Sequence, residues 1–212
     1  MEELNIRYWN HGPHFQFNDS IVFITWRLAF TLPAHILSLF RELTAKPNDP
    51  ETILTKEQIE KSNAHLYKVF MNFDNELAAL PSLGFSLNDD GIAQIVTQSF
   101  QYFDRKRYEL HAYCVMSNHV HLLLRALKND NCEYHRIADI VQSLKRWTTH
   151  EMNRTMGKKG QIWDHFYFDR IIRDPRNYEN VVSYILNNPV KAGLVDKFDK
   201  WRDSYLNSSF IV

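Results

Sequence analysis

Residues 109–126 read ELHAYCVMSNHVHLLLRA, and their pattern decides the fold class. Two runs rich in β-branched, aromatic and aliphatic residues, Glu109–Met116 and His119–Ala126, are separated only by Ser117-Asn118. A two-residue connection is the length that suits a tight antiparallel hairpin. Strand side chains alternate between faces. His119 and His121 therefore project to one side, while Val120, Leu122 and Leu124 project to the other, the side expected to meet the core.

Outward from this hairpin, the chain alternates between strand-like and helix-like patterns. Upstream, IVFITWRLAF at Ile21–Phe30 reads as a buried strand ending before Pro33. Residues 33–90 look helical in pieces, His35–Leu43 and Lys56–Leu80, punctuated by Pro47, Pro50 and Pro81. Asn88-Asp89-Asp90-Gly91 then signals the start of a helix over Ile92–Arg107. Downstream, His135–Met156 has helical apolar spacing at Ile137, Ile140, Val141, Leu144 and Trp147, and Gly157 closes it. Gln161–Arg173 reads as one more extended segment. A last helix runs from about Pro175 to Asn188, where Pro189 is expected to stop it. This order predicts an α+β domain of ferredoxin-like type, with a central antiparallel sheet flanked by helices. Residues 1–212 form one domain on this reading, with 33–90 a helical insertion after the first strand and 196–212 a C-terminal tail.

Composition narrows the class. Apolar residues make up 44% of the 212, enough for a sizeable core, so wholesale disorder is excluded. Two cysteines, Cys114 and Cys132, exclude a disulfide scaffold and a four-cysteine zinc site. The N-terminus lacks a signal-peptide pattern and the best apolar run is too short to span a membrane. A soluble cytoplasmic protein with no membrane association is expected. Net charge is zero, but its distribution is uneven. Residues 1–104 carry 7 Lys and Arg against 13 Asp and Glu, whereas residues 105–212 carry 18 against 12. Such asymmetry can leave a basic surface on a neutral protein, of the kind that phosphate backbones attract.

Two constellations carry potential chemistry. His119 and His121, neighbours on one strand face, form a two-point clamp for a divalent ion; the same spacing also suits two hydrogen-bonded structural histidines. An oxygen ligand beside them would favour Mg²⁺ or Mn²⁺ over zinc. Tyr184 and Asn188 lie at i and i+4 of the last helix, so a phenol and a carboxamide share one face. The phenol could attack phosphorus while the amide oxygen joined the metal's ligand set. Equally, Tyr184 could be a core aromatic beside Val181, Val182 and Ile185.

Four segments in order resemble one family. Tyr113–Leu124 is similar to the signature of the HUH single-tyrosine transposases of insertion sequences. Tyr184-Ile185-Leu186-Asn187-Asn188-Pro189-Val190-Lys191-Ala192-Gly193-Leu194-Val195 resembles the segment carrying their catalytic tyrosine. Tyr167–Asp174 looks like the preceding strand, and Phe23–Leu28 fits the first. Within the class, the Asn-Pro-Val-Lys-Ala-Gly-Leu-Val ending and aromatic tail are most similar to the REP-associated tyrosine transposases. The resemblance implies an HUH domain and a metal-dependent endonuclease and strand transferase acting on single-stranded DNA, often beside a hairpin. It implies His119, His121 and Asn188 as metal ligands, and Tyr184 as the nucleophile forming a 5′-phosphotyrosine. It extends to a monomer or a homodimer, and to nucleoid association. Ser117 stands where the family often has proline. The 33–90 block is longer and more acidic than the family's usual connection.

Arg27, Lys145, Arg146, Arg170, Arg173 and Lys191 are the cations expected to guide a DNA backbone, with Trp147, Trp163, Tyr167 or Trp201 available for base stacking. Two other readings fit the same residues: a DNA-binding module without catalysis, and a ferredoxin-like RNA-binding domain with structural histidines.

Overall fold

The computed structural model describes residues 5–9, 12–16, 18–30, 32–44, 56–80 and 85–210. Seven strands and five α-helices follow one another among these residues. They are β1 (Asn5–Trp9), β2 (Gly12–Gln16), β3 (Ile21–Arg27), α1 (Ala34–Leu43), α2 (Lys56–Ala78) and α3 (Asp90–Tyr102). After them come β4 (Tyr108–Val115), β5 (His119–Ala126), α4 (Ile137–Met156), β6 (Phe168–Ile172), α5 (Pro175–Lys191) and β7 (Ser204–Leu206).

β3, β4, β5, β6 and β7 form one sheet in the order β6-β3-β5-β4-β7, with every pairing antiparallel. β1 and β2 pair separately. β3, β4, β5 and β6, with α3 and α4 as crossovers, reproduce the expected ferredoxin-like connectivity. The hairpin closes as its spacing predicts: the Met116 amide donates to the His119 carbonyl at 2.9 Å.

Each face of the sheet has its own helical cover, because alternate residues of the central strands are apolar on both sides. Val22, Ile24 and Trp26 of β3 and Val120, Leu122 and Leu124 of β5 join Ile92, Val96 and Phe100 of α3 and Ile140 and Leu144 of α4 in one buried cluster. Phe23 of β3 and Leu123 of β5 join Ile36 of α1, Phe70, Phe73 and Leu77 of α2 and Val181 and Ile185 of α5 in another. α1, α2 and α5 thus roof the face that the two crossover helices leave open.

Several sequence expectations need correction. α5 does not stop at Pro189 but continues to Lys191. Proline costs one intrahelical hydrogen bond, and the following turn is still closed by Ala192 donating to the Asn188 carbonyl at 2.9 Å. α3 ends at Tyr102 rather than Arg107. Within Gln161–Arg173 only Phe168–Ile172 pairs along β3; upstream, a single bridge links Trp163 to Leu28. The C-terminal tail supplies β7, three residues on the edge of β4. Other boundaries hold closely. Gly157 caps α4 in the left-handed region at φ 63°, a conformation glycine adopts at no steric cost.

Candidate active site

β5 presents His119 and His121 on the face roofed by α2 and α5, and both imidazoles are fully buried at 0% exposure. Burial of an imidazole requires its nitrogens to find partners. His119 Nδ1 lies 2.7 Å from Asn118 Oδ1, and Asn118 Nδ2 in turn donates to the Leu77 carbonyl at the end of α2. An amide oxygen only accepts, so His119 carries its proton on Nδ1 and leaves the Nε2 lone pair bare. Opposite on β3, Thr25 Oγ1 lies 2.8 Å from His121 Nδ1. The two Nε2 atoms face each other at 3.1 Å.

The last helix adds Tyr184, 6% exposed, and Asn188, 2% exposed. α5 is held in place by an Asp174 cap accepting from the Asn177 amide at 2.8 Å, with Pro175 at its first position. The Tyr184 ring lies 5.6 Å from the His121 ring between centroids. Asn188 Nδ2 donates to the Tyr184 carbonyl at 2.9 Å, which keeps the carboxamide against the same turn. The fold therefore brings Tyr184 of α5 against the histidines of β5, with Asn188 one turn further along the helix beside Tyr184.

The structure adds one that sequence reasoning missed. Asp74 of α2 is fully buried, and the Tyr184 hydroxyl donates to its Oδ2. Its Oδ1 has no hydrogen-bond partner in the structure. Asp74 Oδ1 stands 3.7 Å from His119 Nε2, and Oδ2 stands 3.5 Å from His121 Nε2. A signal was present in the sequence: Phe70, Phe73, Asp74 and Leu77 fall at i, i+3, i+4 and i+7, so one carboxylate interrupts an apolar helical stripe.

Electrostatics sharpen the picture. Burial pushes the His119 imidazole down to about 3, and burial, His119 and Lys191 together push His121 well below its ordinary value. Both rings are neutral at physiological pH, the state in which histidine ligates metals. Burial raises Asp74 to about 7, against the opposing pull of the Tyr184 hydrogen bond and Lys191. Burial and the adjacent Asp74 hold the Tyr184 phenol above its ordinary range. The exposed Lys191 lies with its Nζ 4.6 Å from the Tyr184 ring centroid.

Asp74, His119 and His121 make a possible metal-binding triad, their ligand atoms all within 4.8 Å of one another. Donors bound to one ion at about 2.1 Å lie roughly 3.0–3.5 Å apart at bond angles near 90–110°. The observed 3.1 and 3.5 Å match that spacing, and 3.7 Å is close to it. The two longer contacts are beyond good hydrogen bonds. Two imidazole nitrogens and the Asp74 carboxylate, its orphaned Oδ1 towards His119 and its Oδ2 towards His121, surround one buried point and fit a divalent cation.

The expected DNA-facing cations are dispersed. Arg27 is buried, paired with Asp164 at 2.5 Å and donating to the carbonyls of Leu28 and Phe30. Lys145 donates to the carbonyls of Asp164, His165 and Phe166 and holds that loop. Arg170 donates to Asn177 Oδ1 and stacks over the Tyr67 ring at 3.8 Å. Arg146, Arg173 and Lys191 are exposed. Of the expected stacking residues, Trp147 is exposed at 43%, whereas Trp163 and Tyr167 are core. None of the helices among the described residues is long and apolar enough to cross a membrane.

Comparison with known proteins bears out the resemblance. Residues 86–188, just under half the chain, match the family model of IS200-like transposases. A REP-associated tyrosine transposase of Escherichia coli (strain K12) is 30% identical over 94 residues, covering 44% of this chain and 52% of that protein. A Haemophilus influenzae protein provisionally assigned to the same class is 31% identical over 99 residues, covering 44% and 56%. The chain therefore spans about half the length of these curated relatives. A solved structure of a REP-associated tyrosine transposase bound to a REP hairpin has a TM-score of 0.48 at 20% identity, covering 96% of this chain and 82% of that one.

Proposed function

We propose that this chain is a tyrosine transposase of the IS200-like family that cleaves and rejoins single-stranded DNA near hairpins. The observation that carries this reading is the convergence of Tyr184 and the His119–His121 pair at one buried point, within a segment matching that family. Tyr184 Oη attacks a backbone phosphorus, the bond to the 3′ oxygen breaks, and a 5′-phosphotyrosine and a free 3′ hydroxyl result. The phosphodiester energy is kept in the covalent link, so the reverse attack rejoins a strand. The phenol proton passes to the Asp74 carboxylate it already meets.

The metal-binding residues are His119, His121 and Asn188, serving Mg²⁺ or Mn²⁺. A bound divalent cation polarises the phosphate and offsets charge developing on its oxygens. The chain's own groups do the positioning. Thr25 and Asn118 fix the two imidazoles through Nδ1, as hydrogen-bond partners on the far nitrogen of metal-binding histidines commonly do. Lys191, beside the Tyr184 ring, places a positive charge where phenolate and phosphate meet. Tyr184 stands beside the histidines of its own chain, which supports a monomer, or a homodimer acting in cis. Of the cations expected to guide the DNA, Arg146, Arg173 and Lys191 stand exposed, on a protein that would work in the cytoplasm at the nucleoid.

The test is covalent trapping. Wild type incubated with Mn²⁺ and a 3′-labelled, hairpin-bearing single strand should yield a labelled protein band. Tyr184→Phe should abolish it. An equal yield from Tyr184→Phe would show that the nucleophile lies elsewhere.

A further inference from the structure

The helical block after β3 lies outside the family-matched segment, yet it reaches the centre of the site. Among its described buried side chains Asp74 is the one carboxylate, on a stripe otherwise made of Phe70, Phe73 and Leu77. Burying a carboxylate with one oxygen unpartnered costs several kcal/mol as an order of magnitude. A stripe of this kind would be filled more favourably by leucine if packing were its only task. Both oxygens are instead directed into the site: Oδ2 receives the Tyr184 hydroxyl, and the orphaned Oδ1 faces His119 Nε2.

We infer that Asp74 is itself a ligand of the divalent cation, supplied by the inserted helix α2, and that it positions Tyr184 through its second oxygen. The insertion is then part of the active site. With Asn188 it gives two imidazole nitrogens and two oxygens, a donor set whose hard half suits Mg²⁺ or Mn²⁺ over softer ions. One carboxylate thus ties the metal to the nucleophile. A displacement of α2 would disturb ion and tyrosine together, although the helix carries neither histidine nor nucleophile. The cations and acids around this point are few: Lys191 comes from α5, and the imidazoles come from β5.

This inference rests on the reading of His119 and His121 as metal ligands, so the experiment separates the two. Mn²⁺ is titrated into the full chain and free Mn²⁺ is followed by electron paramagnetic resonance, with no DNA present. The variant His119→Ala/His121→Ala should lose binding; if it binds as wild type does, the histidine reading itself is wrong. Asp74→Ala should weaken binding at least tenfold, the lower end of what loss of even an outer-shell partner costs. Asp74→Asn, isosteric and still able to accept from Tyr184, should weaken it in the same direction and guards against a folding defect in the alanine variant. Asp74→Cys should shift preference towards Cd²⁺ and produce a thiolate-to-metal absorption band that wild type, with its own Cys114 and Cys132, does not show. If the histidine variant loses Mn²⁺ while Asp74→Asn and Asp74→Ala bind it within twofold of wild type, Asp74 is not a ligand. A missing Cd²⁺ band in a folded Asp74→Cys protein would overturn the assignment equally.

Discussion

On one side of β5, Val120, Leu122 and Leu124 pack against α3 and α4; on the other, His119 and His121 lie beneath α2 and α5. All five side chains are fully buried, so depth does not distinguish the two faces. Chemistry does. The first face is closed by apolar contacts; Trp163 Nε1 donates to Thr148 Oγ1 at 2.7 Å, and the neutral Trp26 indole N–H is left without a partner. The second leaves Asp74 Oδ1 unpartnered and sets two Nε2 atoms face to face. A protein selected for stability alone would not build the second face like that, because a buried carboxylate with an unpartnered oxygen costs more than the neutral indole N–H that the first face leaves open. One side of this sheet is thus packed for the fold, whereas the other holds the polar groups to which the proposed function is assigned.

Substitutions can break that division. The largest effect should come from His121→Leu, which removes one of the two imidazoles from the polar face. A loss of metal-assisted charge stabilisation worth several kcal/mol corresponds to roughly 10²–10³-fold in cleavage rate. Thermal stability of the metal-free protein should stay within about 1 kcal/mol of wild type, because apolar packing offsets the lost Thr25 hydrogen bond. Next comes Leu122→Ala on the apolar face. It should destabilise by about 2–5 kcal/mol in denaturant melts, while the cleavage rate per folded molecule is unchanged. If Leu122→Ala proved stable and His121→Leu unfolded the chain, the division of labour would be reversed.

A smaller effect is expected within the apolar face. Thr148→Val leaves the Trp163 indole N–H without its acceptor and should cost about 1–3 kcal/mol. Tryptophan fluorescence and a melt would report both the altered environment and the loss.

How much of this was legible in the sequence follows from the range of each interaction. Alternation put His119 and His121 opposite Val120, and i, i+4 spacing put Tyr184 with Asn188, because both relations are local geometry. The hairpin and the helix order followed likewise from periodicity. Asp74 was out of reach because its meeting with β5 is purely tertiary, though its intrusion into the stripe of Phe70, Phe73 and Leu77 was visible. β7 has three residues, too few for a periodic signal, and is created by the free edge of β4. Pro189 misled because the rule that proline ends helices neglects a turn closed by residues beyond it. Several cations expected to face DNA, Arg27 and Lys145 above all, turn out to hold loops, since charge in a sequence does not reveal its partner.

The polar face should also give the smallest and most gradual response, to pH. His111 of β4 lies 3.1 Å from the Tyr178 hydroxyl of α5, and burial pushes its imidazole from 6.5 down to about 4. The unfolded chain takes up that proton near pH 6.5 while the folded protein refuses it until about 4. Stability is therefore lost as pH falls through this window, by at most about 3 kcal/mol from this residue. His111→Gln should flatten that part of the melting temperature against pH. An unchanged slope would assign the acid sensitivity to other groups.

The central claim is that His119, His121 and their neighbours surround one divalent cation beside Tyr184. Anomalous diffraction from crystals grown with Mn²⁺ tests it most directly. One strong peak is expected at bonding distance from both Nε2 atoms, with oxygens of Asp74 and Asn188 turned towards it. Crystals with no peak there, and the two imidazoles hydrogen-bonded to each other, would contradict it.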